Sequence, residues 1–220
     1  MSNSFVSRRV LIVDDHPIVR QGIAQLIDAE ADLSVCGEAA SVTEARAVLR
    51  QSKPDVVIVD LSLRNSDGLE LIKDMRSKRQ DVPVLVLSMH DEGIYAERIL
   101  CAGANGYIMK QAASDQLLTA LRRVLAGGIY VSEAIGSSMI ARFTSGGSKA
   151  TSDPIDRLSN RELQILTLIG QGRGTREIAD SLNLSVKTIE SHRQRIKKKL
   201  NLETSPKLVQ YAVQWLAARH

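Results

Sequence analysis

Three acids stand at the ends of two short apolar runs: Asp14 and Asp15 follow Val10–Val13, and Asp60 follows Val56–Val59. Clustered carboxylates repel one another, so setting these runs side by side is unfavourable unless a cation is shared. A hard oxygen cluster with room for water suits Mg²⁺. Such an ion binds phosphoryl oxygens and offsets the charge that develops in phosphoryl transfer. A carboxylate in the same cleft can serve as the nucleophile. Ser88 and Lys110 end two further apolar runs, with Tyr107 just before Lys110. A hydroxyl there can hydrogen-bond a phosphoryl oxygen, and an ammonium can pair with another. One Asp at a strand end is ordinarily a turn or cap residue. Five polar groups at the ends of four runs out of five point instead to one reactive cleft.

A second constellation lies near the other end. Thr175–Leu182 and Val186–Leu200 read as two helices separated by the tight turn Asn183-Leu184-Ser185. Ile189, His192, Ile196 and Leu200 form an apolar stripe at helical spacing. The opposite face carries Lys187, Glu190, Ser191, Gln194, Arg195 and Lys198, a polar and net basic surface about three turns long that suits a DNA major groove. Glu190, Ser191 and Gln194 are the candidates for base-edge contact. Lys187, Thr188, Arg193, Arg195, Lys198 and Lys199 suit phosphates, which position a helix without specifying sequence. The run Lys197-Lys198-Lys199 is by itself an ordinary solvated face.

The elements that must position these residues follow from periodicity. Val10–Val13, Leu33–Gly37, Val56–Val59, Val84–Ser88 and Tyr107–Met109 are nearly all apolar, as expected of parallel strands covered on both faces. Between them lie helical patterns at Pro17–Asp28, after the capping box Ser41-Val42-Thr43-Glu44, and at Gly68–Arg79, Gly93–Cys101 and Ser114–Ala126. This (βα)5 alternation predicts a doubly wound parallel sheet, with its cleft at the carboxyl ends of the strands. Gly127–Asp156 is rich in Gly and Ser and reads as an interdomain linker, with a short helix near Ser132–Arg142. A capping box at Ser159–Glu162 opens a helix to about Gly170, and Ser205-Pro206 opens a last helix through about Ala217. The fold class is therefore α/β: a doubly wound (βα)5 domain over residues 8–126, a linker over 127–154, and a small all-α four-helix helix-turn-helix domain over 155–220.

Composition narrows the classes. The chain has 220 residues, enough for two domains. From Pro154 onward, 12 Lys and Arg face 6 Asp and Glu, a balance of +6, whereas the remainder balances to −2. A basic tail domain suggests a polyanion partner. An aromatic content of 3% argues against a base-stacking platform. Cys36 and Cys101 form no CxxC pair, which fits a reduced cytoplasmic setting. No run approaches the length of a membrane span, and the first nine residues lack the apolar core of a signal peptide.

Val10-Leu11-Ile12-Val13-Asp14-Asp15-His16-Pro17, Val57-Ile58-Val59-Asp60-Leu61, Leu87-Ser88 and Gly106-Tyr107-Ile108-Met109-Lys110 together resemble the receiver domain of two-component systems. The resemblance implies that Asp60 is the phosphoacceptor and that the donor is a sensor histidine kinase. It implies Mg²⁺ held by Asp15, Asp60 and the Ser62 carbonyl, with Asp14 acting through water. Ser88 and Tyr107 match the switch pair, and Lys110 matches the family's invariant lysine. Phosphorylation would draw Ser88 inward and vacate space for Tyr107. The family usually has proline four residues after the acceptor, where this chain has Arg64, which leaves the stiffness of that loop open. Leu158-Ser159-Asn160-Arg161-Glu162, Gly172, Glu177-Ile178-Ala179, Leu182, Ser185, Lys187-Thr188-Ile189, His192 and Ile196 resemble the LuxR-type output domain. Together the two matches resemble the NarL/FixJ-type group. That implies a homodimer on double-stranded DNA, with Val209 and Val213 as candidates for the dimer face and Trp215 and Leu216 turned to the core.

Two other classes compete. Haloacid-dehalogenase-type phosphatases also use an aspartyl nucleophile after a strand, but they need a second acid two residues on, where this chain has Ser62. The expectation is a regulator and not an enzyme. The alternative is a protein–protein adaptor whose basic helix binds an acidic partner.

Overall fold

The computed structural model describes residues 7–63, 67–144 and 154–218. Arg64, and with it the expectation about the acceptor loop, lies outside the described residues. The chain divides into two compact units, Met1–Gly147 and Ser148–His220.

The first unit is a five-stranded parallel sheet of order β2-β1-β3-β4-β5. Its strands are β1 (Arg8–Val13), β2 (Leu33–Ala39), β3 (Val56–Asp60), β4 (Val84–Ser88) and β5 (Gly106–Met109). The helices between them are α1 (Pro17–Asp28), α2 (Val42–Ser52), α3 (Gly68–Ser77), α4 (Glu92–Cys101) and α5 (Ala113–Leu125). β3 and β4 are buried along their whole length, which is why their sequences show no polar alternation. Val10, Ile12, Val56, Ile58, Leu85, Leu87 and Ile108 meet Ile23 and Ile27 of α1 and Leu117, Leu121 and Val124 of α5 in one core. At roughly 1.5–3 kcal/mol for each fully buried aliphatic side chain, this layer is what holds the strand ends in register.

Register does the positioning. Val13 pairs with Val59, so the next residue on each strand, Asp14 and Asp60, emerges at the same level. β1 and β3 are also where the strand order reverses, the place where doubly wound sheets leave a crevice. Gly68 opens α3 directly against Asp60, where any Cβ would collide with the Asp60 carbonyl oxygen.

The start of the segment expected to be a linker is packed. Tyr130 adds a parallel bridge beside Gly106 at the β5 edge. The Tyr107 N–H donates to the Tyr130 carbonyl at 2.8 Å, and the Tyr130 N–H donates to the Asn105 carbonyl at 3.0 Å. α6 (Glu133–Thr144) then packs on α4, and the Glu92 carboxylate of α4 accepts the Ser132 N–H at 2.8 Å.

The second unit holds α7 (Asn160–Gly170), α8 (Thr175–Ser181), α9 (Val186–Lys199) and α10 (Ser205–Ala217). Leu163, Leu166, Ile169, Ile178, Ile189, Ile196 and Leu208 are all buried and form its core. Both hydrogen bonds of the Ser159–Glu162 capping box are present at the start of α7. α10 begins differently from the sequence expectation: Thr204, and not Ser205, is the N-cap, its hydroxyl accepting the Lys207 N–H. Both hydroxyl residues suit that role, and the extended backbone at Thr204 selects it.

Candidate functional site

The strand ends bring Asp14, Asp15, Asp60, Ser88, Tyr107 and Lys110 to one end of the sheet. Asp14 and Asp60 are each 2% exposed, and Ser88 is fully buried. The Lys110 ammonium bridges the two acids, with Nζ 2.6 Å from Asp14 Oδ2 and 2.7 Å from Asp60 Oδ2. The other Asp60 oxygen, Oδ1, accepts the Ser62 N–H at 3.0 Å. Burial pushes the Asp60 pKa above its ordinary value, although Lys110 and the Ser62 amide pull the other way. Burial alone would lower the Lys110 pKa, but the Asp60 and Asp14 carboxylates outweigh it and leave the ammonium harder to deprotonate than usual. Two buried carboxylates and one buried ammonium thus share a poorly solvated crevice.

His16 joins this cluster. Its Nδ1 lies 2.9 Å from Asp15 Oδ1 and 3.1 Å from Asp14 Oδ1. Donor atoms of Asp14, Asp15, His16 and Asp60 all lie within 4.8 Å of one another, a spacing that suits a divalent cation. The oxygen-dominated set favours a hard ion over a soft one. His16 is visible in sequence only as the neighbour of Asp15; it is the N-cap residue of α1, and its half-exposed side chain reaches both acids from there.

Ser88 and Tyr107, expected as a switch pair, are both buried. Tyr107 is already inside, 1% exposed, with its hydroxyl donating to the His90 carbonyl at 2.9 Å. Burial pushes its phenol pKa up, with the Ser88 hydroxyl opposing. Ser88 Oγ accepts the His90 N–H at 3.1 Å. His90 was not evident from sequence, since its role depends on two loops meeting: its Nε2 lies 2.7 Å from Ser62 Oγ and its ring stacks on Tyr95 at 4.6 Å.

In the second unit, Lys187, Glu190, Ser191, Gln194, Arg195 and Lys198 are all exposed along one face of α9. Ile189 and Ile196 are fully buried on the opposite side. Half-buried His192 completes that side, its pKa lowered by burial and by Arg195. Thr188 hydrogen-bonds Ser185 in the N-cap, and Arg193 is half-buried beside the exposed face. Val186, 39% exposed, adds an apolar group at the start of that face. Lys199, grouped by sequence with the phosphate contacts, instead donates to the buried Glu162 carboxylate at 2.6 Å. Sequence periodicity could not show this, because the partner lies on another helix. Val209 and Val213 are exposed on α10, while Leu216 is buried and Trp215 half-buried.

Known proteins carry the same two-part arrangement. The family model for the response regulator receiver domain matches residues 10–122, and that for the luxR family of bacterial regulatory proteins matches residues 156–212. The chain is 39% identical over 209 residues to the oxygen regulatory protein NreC of Staphylococcus carnosus, covering 93% of this chain and 96% of that one. The structure of RcsB from Salmonella enterica serovar Typhimurium bound to promoter rprA in the presence of phosphomimetic BeF3⁻ is similar with a TM-score of 0.58 and 30% identity, over 94% of this chain and 98% of that one. A LuxR-family two-component response regulator from an Aurantimonas species matches with a TM-score of 0.58 and 33% identity, over 63% of this chain and 99% of that one. Among the described residues no helix is long and apolar enough to cross a membrane. The chain belongs to the response regulators that join a receiver domain to a LuxR-type helix-turn-helix domain, a family of phosphorylation-controlled, DNA-binding transcription regulators.

Proposed function

We propose that Asp60 is the phosphoacceptor of this regulator and that α9 is its DNA-reading helix. The observation that carries the first half is the placement of Asp60: a buried carboxylate at the strand-order reversal, between the Lys110 ammonium and the Ser62 N–H, with Asp14 and Asp15 beside it. An Asp60 oxygen attacks the phosphorus of a phosphohistidine on a sensor kinase. The P–N bond breaks, and the departing imidazole takes up a proton. Lys110 then faces a group carrying about −1.5 to −2 charge in place of −1. Ser88, whose hydroxyl now accepts from the His90 amide, is free to turn and donate to a phosphoryl oxygen.

Asp14, Asp15, Asp60 and the Ser62 carbonyl would hold Mg²⁺, and His16 would orient Asp14 and Asp15. When bound, the ion supplies charge neutralisation for the incoming phosphoryl oxygens. Residues 8–126 form the receiver domain and residues 155–220 the output domain in this reading. The output domain binds duplex DNA as a homodimer, joined in part through Val209 and Val213 of α10. Glu190, Ser191 and Gln194 read base edges, while Lys187, Arg195 and Lys198 engage phosphates, flanked by Thr188 and Arg193.

The test is phosphorylation of the full chain by acetyl phosphate in Mg²⁺ buffer, followed by gel retardation of duplexes selected from a random pool. Wild type should incorporate one phosphoryl group and tighten on DNA. Asp60→Asn should do neither while still binding DNA at its basal level. Equal incorporation in Asp60→Asn would reject the assignment.

A further inference from the structure

Glu162 is more than a helix cap. Its carboxylate is 3% exposed and completes the capping box of α7 by accepting the Ser159 N–H at 2.8 Å. The same oxygen, Oε2, accepts the Lys199 ammonium at 2.6 Å from the far end of α9. Oε2 therefore joins the first turn of α7 to the last turn of the recognition helix. The other anchor of α9 is its N-terminal turn, where Ser185 caps the Thr188 amide. Between these two points Ile189 and Ile196 sit in the core and fix rotation about the helix axis.

A buried carboxylate cannot readily be left without a cation. Burial works to raise the Glu162 pKa, yet the Lys199 and Ser159 interactions prevail and hold it below the ordinary value. The Glu162 carboxylate is therefore ionised in the folded domain at neutral pH. Moving this ammonium away to a phosphate would strand a desolvated anion at Glu162. Lys198, one residue earlier, is exposed and has no such partner among the described ion pairs.

Resting on the DNA-reading role given to α9 above, we infer that Glu162 is a positioning residue for DNA recognition: it pins the end of the recognition helix through Lys199 and removes that lysine from the phosphate contacts. The duplex meets Lys187, Arg195 and Lys198, but Lys199 stays with the protein. Glu162 thereby trades one non-specific contact for a fixed helix pose, which raises discrimination between cognate and random DNA.

Salt dependence separates this from an ordinary basic helix, since each neutralised phosphate contributes about 0.9 to the slope of log affinity against log salt. The experiment titrates the full chain with a duplex enriched by wild type from a random pool, and with a shuffled duplex, across a salt series. Glu162→Gln retains the cap, because Gln also serves at that position of a capping box, but frees Lys199. It should raise the slope by about 0.9, tighten binding to the shuffled duplex, and narrow the ratio between the two duplexes severalfold. The double variant Glu162→Gln with Lys199→Gln restores a neutral, hydrogen-bonded pair. Its slope should equal that of wild type. A fall of about 0.9 in the double variant would show that Lys199 contacts phosphate and would overturn the inference. An unchanged duplex ratio in Glu162→Gln would overturn the positioning role even if the slopes behaved. Lys198→Gln, measured alongside, should lower the slope. If wild type enriched no duplex at all, the DNA-reading role itself would fail, an outcome distinct from either of these.

Discussion

His90 Nε2 stands 2.7 Å from the hydroxyl of Ser62, so the loop after β3 is tied to the loop after β4. The same residue stacks its ring on Tyr95 of α4 and accepts the Tyr107 hydroxyl through its carbonyl. Ring and backbone of one residue thus touch the loop after β3, the helix α4 and the aromatic of β5. His90→Ala should lose a stacked pair of about 0.5–1.5 kcal/mol and a hydrogen bond of about 1 kcal/mol. The expected result is a stability loss of about 2 kcal/mol in denaturant titration. Hydrogen exchange in α4 should also respond less to beryllium fluoride. An α4 response equal to wild type would place the coupling elsewhere.

Lys110 lies between Asp14 and Asp60, so its removal leaves two buried acids facing each other. Lys110→Met should cost on the order of 3 kcal/mol in metal-free buffer. It should also make Mg²⁺ more stabilising than in wild type, because the unbalanced acids then have only the metal for a counter-charge. Thermal unfolding with and without Mg²⁺ measures both. A smaller Mg²⁺ shift in the variant would contradict the shared-cleft geometry.

Gly106 is a glycine for a local reason: a Cβ there would sit 3.0 Å from the Tyr130 carbonyl oxygen and 2.9 Å from Leu85 Cδ1. Gly106→Ala should therefore push Tyr130 off the sheet edge, at an overpacking cost of about 1–3 kcal/mol. Amide exchange at Tyr107 and Tyr130, which depends on that pairing, should accelerate at least tenfold, while β3 stays protected. Equal exchange at Tyr130 would mean that the bridge contributes nothing in solution.

The order of elements and the acid cluster could be read from sequence because both depend on short-range pattern. Apolar runs of three to five residues alternating with amphipathic stretches leave few sheet topologies, and an acid immediately after a run must emerge at a strand end. The exposed face of α9 was equally legible, since Ile189 and Ile196 at helical spacing fix which side is wet. What escaped were contacts between residues far apart in the chain. His90 meets Ser62 across 28 positions, and Lys199 meets Glu162 across 37. Neither spacing carries a local signal, and a lysine in a run of three looks solvated unless its partner helix is known. The bridge at Tyr130 was masked by composition: Gly127-Gly128 suggests a loop, yet the backbone just beyond them satisfies its hydrogen bonds on β5.

The Glu162–Lys199 pair also fixes how stability of the second unit should depend on pH. The Glu162 pKa is lower in the folded protein than its ordinary value of 4.5. A carboxylate of that kind binds protons more weakly when folded, so unfolding takes up protons in acid. Its stabilisation is complete above the ordinary range and is lost as the pH falls through 4.5 toward the lowered folded value. Trp215, the chain's single tryptophan, lies in α10, and its fluorescence follows this unit alone. Denaturation monitored at Trp215 should show stability falling between about pH 5 and 3 in wild type. The fall should be shallower in the Glu162→Gln and Lys199→Gln double variant, where this pair no longer titrates. Lys199→Met alone should lose on the order of 1–2 kcal/mol near neutral pH, because the half-exposed ammonium is partly screened. It should recover part of that loss in acid, as protonation relieves the stranded carboxylate. A single variant with the same acid profile as wild type would mean that Glu162 is not held ionised by Lys199.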